Sequence, residues 1–191
     1  MNAPPDPASL AAPAMPLVET RQLGALRIHA LQAGGQKLDG GAMFGVVPKP
    51  LWERKIPADE RNRIGLGMRC LLIEHPDGLV LVDSGAGNKE SEKFYSLYGM
   101  DAPPPADSPT QLELAIAAAG FSTADVRTVI SSHLHFDHAG GNTRRRPDGS
   151  IAPSFPNARY VVRQGEWDWA HDTNERTAAS YFAHNYDPLE T

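Results

Sequence analysis

The feature that most constrains this chain is the segment SSHLHFDHAGGN at positions 131–142. Three histidines and one aspartate fall within six of its residues, at His133, His135, Asp137 and His138. Side chains two residues apart lie on the same face of an extended strand, so His133 and His135 would both reach one metal ion, at about 2.0–2.1 Å per Zn–N bond. The spacing therefore predicts that these two histidines bind one ion, and that Asp137 and His138 bind a second, neighbouring ion.

The glycines that follow the cluster favour a metal site over a surface loop that is rich in histidine by chance. His138 departs from the alternation of the preceding residues, so the chain must turn there. Gly140 and Gly141 permit a tight turn and the close approach of another backbone segment. A histidine-rich surface loop is the alternative, and the motif is a hypothesis that its structural context has to support.

Length and composition are typical of one soluble globular domain. The chain has 191 residues, of which 41% are hydrophobic and 21% are charged, enough to bury a sizeable core. The net charge of −5 gives no electrostatic reason to expect a nucleic acid or an anionic membrane as partner, and the basic run at residues 144–146 is more typical of a solvated turn. Cys70 is the single cysteine, so no intrachain disulfide can form and a reducing, cytoplasmic location is expected.

The N-terminal segment is expected to be a disordered leader. Residues 1–16 read MNAPPDPASLAAPAMP and lack the basic and apolar regions of a signal peptide. Their proline and alanine bias is typical of disordered segments. Residues 17–191 are then expected to form one domain, in which no apolar run is long enough to span a bilayer.

Strand and helix signals alternate along this domain, which predicts an α/β fold. The clearest signal is a hairpin, because two apolar runs flank the turn sequence His-Pro-Asp-Gly and the second run ends in Asp83. Residues 34–62 are rich in glycine and proline and predict a long loop, and no closing element is predicted after residue 177. The predicted strands cover residues 26–33, 68–74, 79–82, 125–131 and 159–163, and the predicted helices cover residues 89–98, 165–171 and a segment that begins after an N-cap at Ser108 and ends at Gly120.

Several of these segments resemble one family. HLHFDHAGG resembles the HxHxDH signature of the metallo-β-lactamase fold superfamily, and in VLVDSGAG the residue Asp83 matches the family's upstream acidic residue, which supports the metal site. Within the superfamily, SHLHFDHAGGN and RYVVRQGEWDWA are most similar to the quorum-quenching N-acyl-homoserine lactonases and related metallo-hydrolases. The commonest zinc β-lactamases have another residue in place of His138, and the flavodiiron branch has an acidic residue in place of His135.

The resemblance implies a fold and a chemistry. The fold would be an αββα sandwich, of which this chain resembles the N-terminal half, a mixed sheet with flanking helices. The site would hold two divalent metal ions, most simply zinc, with iron, manganese or cobalt as alternatives. His133, His135, Asp137 and His138 would be metal ligands, and Asp137 would also be catalytic, orienting a metal-bound hydroxide that opens the ester of a lactone.

Four ligands are too few for two catalytic metal ions, because each ion needs about three protein ligands and a water molecule. The family supplies the others from a downstream Pro-Gly-His turn, a bridging aspartate and a final histidine, and this sequence contains no Pro-Gly-His. We therefore expect that the C-terminal half of the fold is missing, and that one apolar sheet face lacks its cover. A second copy of the chain or a complementing C-terminal half would then supply the remaining ligands. The other histidines match no ligand motif of the family: His29, His75, His171 and His184.

Other functions are open at this point. The expected substrate is a small-molecule ester or lactone, but the same two ions would activate water against a thioester or a phosphoester. The chain could instead bind a single metal ion as a non-catalytic fragment. Phe136 could face an acyl pocket or be an ordinary core residue.

Overall fold

The structure, a computed structural model, describes residues 16–190, so residues 1–15 of the predicted leader lie outside the described residues. This part of the chain contains eight β-strands, six α-helices and several short 3₁₀ turns. The strands are β1 Val18–Leu23, β2 Leu26–Asp39, β3 Arg63–His75, β4 Gly78–Val82, β5 Val126–Ile130, β6 Thr143–Arg145, β7 Ile151–Pro153 and β8 Arg159–Val161. The helices are α1 Gly40–Phe44, α2 Lys49–Trp52, α3 Glu92–Leu97, α4 Gln111–Ala118, α5 Phe136–Ala139 and α6 Gln164–His171.

Six strands form one mixed sheet in the order β1-β2-β3-β4-β5-β8. The pairs from β1 to β4 are antiparallel, whereas β4, β5 and β8 run parallel to one another. Strands β6 and β7 pair separately as a small antiparallel sheet. The predicted α/β class, with a mixed sheet and flanking helices, is confirmed. The parallel arrangement places the C-terminal ends of β4 and β5 side by side, and the residues that follow these strands meet there.

One face of the sheet carries the main core. Leu31, Leu72 and Leu81 are fully buried on this face and pack with residues of α4. Burial of an aliphatic side chain of this size stabilises the fold by about 1.5–3 kcal/mol. The helix begins at a capping box in which Thr110 and Glu113 bond to each other's backbone N–H groups. The predicted N-cap at Ser108 is therefore wrong by two residues.

The opposite face of the sheet shows an apolar row that crosses four strands. Leu71 pairs with Val82, Val82 pairs with Ile130, and Ile130 pairs with Val161. Directly paired residues share a face of the sheet, so these four side chains form one line. Leu71 is 40% exposed, and Ile130 and Val161 are each 37% exposed. An apolar row with this exposure agrees with the expectation that one sheet face lacks its cover.

Strand β2 overturns most of the predicted long loop at residues 34–62. It continues to Asp39 and pairs with β3 throughout, with a register shift between Gln32 and Gly35. Gly34 has a φ of 134°, which an L-residue rarely adopts, so the glycines that suggested a loop instead form a β-bulge. Only the following segment leaves the sheet, as α1 and α2. Strand β1 was not predicted, since VETRQL has little apolar character.

The last residues also differ from prediction. Two 3₁₀ turns, Ala183–Asn185 and Asp187–Leu189, close this part of the chain. Asn185 and Tyr186 are 1% and 2% exposed, and the hydroxyl of Tyr186 donates to the carbonyl of Ala170 at 3.0 Å. Polar turns with few aliphatic residues gave no periodic signal, yet they pack against α6 and β7.

Two observations bear on the predicted compartment. No helix in residues 16–190 is long and apolar enough to cross a membrane. Cys70 is buried in β3, and burial raises the pKa of its thiol, so it behaves as a small apolar core residue. The cytoplasmic location itself stays a prediction.

Candidate metal centre at the ends of β4 and β5

Asp83 joins the two strand ends. It follows β4 with a φ of 59°, a backbone conformation that is uncommon for a residue other than glycine. Its N–H donates to the carbonyl of Ile130 at 2.9 Å, which keeps β4 and β5 paired beyond the sheet. Its carboxylate accepts bonds from the N–H and the hydroxyl of Ser132 at 2.7 and 2.8 Å. These contacts hold the strained backbone in place.

The same carboxylate orients His138. Nδ1 of His138 lies 2.9 Å from Oδ2 of Asp83. Burial alone would raise the pKa of Asp83, but the hydrogen bonds from His138 and Ser132 lower that pKa below its ordinary value. The bond to Asp83 in turn raises the pKa of His138. A ring fixed at one nitrogen by a carboxylate presents the other, Nε2, in a defined direction, as metal-binding histidines do.

The three histidine rings of the motif lie next to one another. The ring centroids of His133 and His135 are 4.6 Å apart, and those of His133 and His138 are 4.0 Å apart. Burial lowers the pKa of both His133 and His135, which favours the neutral imidazole that a metal ion requires. The predicted strand continuation is wrong, since β5 ends at Ile130 and His135 makes only an isolated bridge to Tyr181. The irregular extended backbone still brings the rings together.

Asp137 occupies the short helix α5 and is held from strand β2. Its Oδ2 accepts a bond of 2.6 Å from Nε2 of Gln36 and lies 3.7 Å from Nε2 of His138. Gln36 is only 5% exposed. Sequence reasoning missed Gln36, because it lies 101 positions before Asp137 and within the segment that was predicted to be a loop. No local signal could have found it.

Glycines allow two backbone segments to meet behind the cluster. A Cβ on Gly141 would lie 2.1 Å from the carbonyl oxygen of Ser84, and one on Gly140 would lie 2.4 Å from that of Ala86. Any side chain at either position would displace the backbone that follows Asp83. The predicted close approach at the paired glycines is therefore present in the structure.

Residues from the C-terminal part complete the surroundings of the cluster. The ring of Tyr181 lies 4.6 Å from that of His135, and its hydroxyl donates to Oε1 of Glu166 at 3.0 Å. Oε1 also accepts from the N–H of Leu134 at 2.8 Å, so α6 is tied to the backbone between two histidines. Phe136 is 4% exposed and belongs to an aromatic core cluster, which supports its interpretation as a core residue.

The other histidines have partners away from the motif. His29 contacts Thr20 and Glu74, whereas the turn residue His75 lies 3.5 Å from Asp77. The partners of the two C-terminal histidines are Asp187 for His171 and Glu90 for His184. The expectation that none of the four is a metal ligand stays a prediction.

The chemistry of the four motif side chains fits a divalent metal ion, although the arrangement alone is not sufficient. In residues 16–190 no group of three or more His, Cys, Asp or Glu side chains is arranged so that it could hold a metal ion by itself. Imidazole and carboxylate donors nevertheless suit zinc and similar ions. Nε2 of His133 and both ring nitrogens of His135 have no hydrogen-bond partner within this range. These atoms are available as ligands, while Asp83 and Gln36 already hold the other two side chains.

Comparison with known proteins finds related sequences and one family model over part of the chain. Residues 66–144 match the sequence model of the metallo-beta-lactamase superfamily. The N-acyl homoserine lactonase AttM of Rhizobium johnstonii is 29% identical over 119 residues, which cover 61% of this chain and 41% of that protein. A probable metallo-hydrolase of Mycobacterium tuberculosis is 30% identical over 145 residues, which cover 66% of this chain and 46% of that protein. The chain thus spans about half the length of the curated relatives it matches.

Solved structures show the same architecture. A probable metal-dependent hydrolase from Staphylococcus aureus superposes with a TM-score of 0.76 at 37% identity, over 86% of this chain and 56% of that chain. AidC, a dizinc quorum-quenching lactonase, superposes with a TM-score of 0.65 at 22% identity, over 91% of this chain and 57% of that chain. The described residues therefore have the metallo-β-lactamase fold, and within them residues 66–144 match the metallo-beta-lactamase superfamily.

Proposed function

We propose that this chain is part of a metal-dependent hydrolase that opens the ester bond of a lactone, with His133, His135, Asp137 and His138 as ligands of two divalent metal ions. The observation that carries the proposal is the bond between Asp83 and His138, at 2.9 Å. This bond orients the imidazole ring of His138, so that its other nitrogen, Nε2, faces the neighbouring metal-binding side chains at the C-terminal ends of β4 and β5. The lactonase relatives, at 29% identity, favour a lactone as the substrate.

Zinc is the metal we propose first, because histidine and carboxylate donors match its preferences. When bound, the ions would polarise the ester carbonyl and make hydroxide available near neutral pH. The protein's own residues prepare this chemistry. His133 and His135 stay neutral through burial, and Asp137 is held by Gln36 on one carboxylate oxygen, which leaves the other to act as ligand and to orient the attacking water.

The remaining ligands are proposed to come from outside the described residues. Two ions with about three protein ligands each need more donors than the motif contains. A second copy of this chain, or a complementing C-terminal half, would bring them to the ends of β4 and β5. The apolar row on the sheet gives such a partner a surface to cover.

Metal content and hydrolysis test the proposal together. The chain is purified without chelator, its zinc, iron, manganese and cobalt are measured by elemental analysis, and its turnover is assayed with a homoserine lactone, an acyl-glutathione and an aryl phosphodiester. We expect close to two ions per active unit and hydrolysis of the lactone. His133→Ala should abolish both, whereas His75→Ala, in an exposed turn, should change neither.

The same experiment decides between the alternatives. Preference for the acyl-glutathione or the phosphodiester would assign the site to thioester or phosphoester hydrolysis. One ion or less, without turnover on any of the three compounds at saturating metal, would overturn the hydrolase proposal for this polypeptide. The non-catalytic, single-metal fragment would then be the correct description.

A further inference from the structure

A cleft opens on the surface beside the histidine cluster. Its volume is about 520 Å³, within the range of small-molecule sites. The lining residues are Ser132, Arg163, Gly165, Glu166, Trp169 and Tyr181. We call it the Arg163 cleft.

Two lining residues connect the Arg163 cleft to the cluster. The hydroxyl of Ser132 lies 3.1 Å from Nδ1 of His133, and the ring of Tyr181 lies 4.6 Å from the ring of His135. A molecule bound in the cleft would therefore lie next to the side chains that we propose as metal ligands.

Arg163 is the cation of the cleft, and its guanidinium makes no hydrogen bond or ion pair within residues 16–190. Glu166 is the one carboxylate among the lining residues, and its Oε1 already accepts bonds from the N–H of Leu134 and the hydroxyl of Tyr181. An uncommitted guanidinium in a concave surface suits a carboxylate, which it can bind through two parallel hydrogen bonds.

Trp169 supplies a flat apolar surface to the same cleft. Its side chain is 46% exposed, although the neighbouring Trp167 packs into a core cluster. Tyr181 adds a second aromatic ring to the lining. Exposed aromatic side chains beside a cation are suited to a ligand that combines a ring with a negative charge.

We propose that the Arg163 cleft is a substrate-recognition subsite, which binds a flat, aromatic group that carries a carboxylate. The role in recognising a substrate rests on the proposed hydrolase function, but binding in the cleft requires neither metal nor turnover. Among the proposed ester and lactone substrates, the cleft would favour those that carry an anionic aromatic substituent on the acyl or alcohol side, and hydrolysis of a homoserine lactone would not require it.

Calorimetric titration of the chain with phenylacetate, and with its neutral isostere phenylacetamide, tests the binding. Phenylacetate should bind the more tightly. Arg163→Ala should lower the affinity for phenylacetate by about tenfold or more, because it removes a charged hydrogen-bond partner. Its affinity for phenylacetamide should not change. Trp169→Ala should weaken both ligands. Arg54→Ala, at an exposed arginine outside the lining, is the matched control.

Nuclear magnetic resonance locates the bound ligand. The indole N–H signal of Trp169, assigned with Trp169→Phe, should shift on titration, whereas that of buried Trp52 should not. Equal binding of the two ligands, or equal loss in Arg163→Ala and Arg54→Ala, would overturn the cleft assignment. If ligand binding depends on Arg163 but no ester is hydrolysed, the hydrolase proposal fails and the binding role of the cleft stands. If an ester is hydrolysed but ligand binding does not depend on Arg163, the binding role of the cleft fails and the hydrolase proposal stands.

Discussion

Nδ1 of His138 lies 2.9 Å from Oδ2 of Asp83, a residue 55 positions earlier in the chain. The contact joins the residue that ends one parallel strand to the last residue of the HxHxDH motif. It fixes the direction of a ring that would otherwise rotate about two single bonds, and it is the most specific sign of a metal centre in the described residues.

Asp83→Asn should weaken metal binding without unfolding the protein. The amide keeps the shape of the side chain but loses the negative charge that orients His138, and loss of such a partner typically costs 10–100-fold in metal affinity. Zinc competition against a chromophoric chelator measures the change. Asp77→Asn, at a side chain that is 93% exposed, is the control. Equal affinity of the two variants would show that the contact has no role in binding.

Gln36→Glu should destabilise the fold. The substitution preserves size but places a second carboxylate where Nε2 now donates to Asp137 at 2.6 Å, so a charge-assisted bond becomes a repulsion. We expect the free energy of unfolding to fall by about 1–3 kcal/mol, measured by urea denaturation at pH 7 without metal. Gln22→Glu, on the exposed strand β1, should lie within about 0.5 kcal/mol of the wild type. A matching loss in both variants would rule out a specific effect at Asp137.

Lys89 should make stability depend on pH. Burial lowers its pKa to about 7, and its ammonium donates to the carbonyls of Gly140 and Thr143. The unfolded chain keeps this proton up to its ordinary pKa near 10.4. Between these values the unfolded state binds more protons, so the contribution of Lys89 to stability rises with pH, by up to about 1.4 kcal/mol per unit.

Urea denaturation at pH 7, 8 and 9 measures this linkage. The wild type should gain stability relative to Lys89→Met as the pH rises. Lys93→Met removes an exposed lysine and should follow the wild type at every pH. A constant difference between wild type and Lys89→Met would show that the lysine is protonated in the folded state throughout this range.

Gly141→Ala should be costly although it adds a single methyl group. The new Cβ would lie 2.1 Å from the carbonyl oxygen of Ser84, and relief of that overlap requires the backbone behind the cluster to move. A loss of about 2–3 kcal/mol is expected, measured by thermal unfolding. Gly165→Ala is the control, because nothing lies within 4 Å of its added Cβ and alanine favours the helix. Similar melting temperatures for both variants would mean that the backbone yields easily.

The sequence predicted those features whose signals are local. The hairpin of β3 and β4, Asp83 at its end and the spacing of the HxHxDH motif can each be found within a short window. The start of α4 was displaced by two residues because Ser108 and Thr110 both suit an N-cap, and only the reciprocal bond with Glu113 decides between them. The glycines of β2 are as compatible with a loop as with a β-bulge inside a strand, so the sequence alone did not decide between the two.

The features that sequence reasoning missed depend on contacts between distant segments. Gln36 is one polar residue among many until β2 places it against Asp137. Tyr181 lies in a segment without periodicity, and only the packing of the 3₁₀ turns brings it to His135. Hydrophobic patterns report which faces are buried, but they do not report which polar side chains meet after the sheet has formed.

The separation of Gln36 and Asp137 by 101 residues has a consequence for the order in which the centre assembles. The motif residues are adjacent in sequence, so the unfolded chain can already capture a metal ion through them. The contacts that orient them, from β2 and from the residue after β4, form only when the sheet closes. Metal added before folding would therefore be bound weakly by the motif residues of the unfolded chain. The ion then stabilises the native state only by the difference between its affinity for the folded chain and its affinity for the unfolded chain. Refolding with zinc present from the start should then be slowed by ions that must be rearranged, whereas zinc added after folding meets a set of ligands already in position.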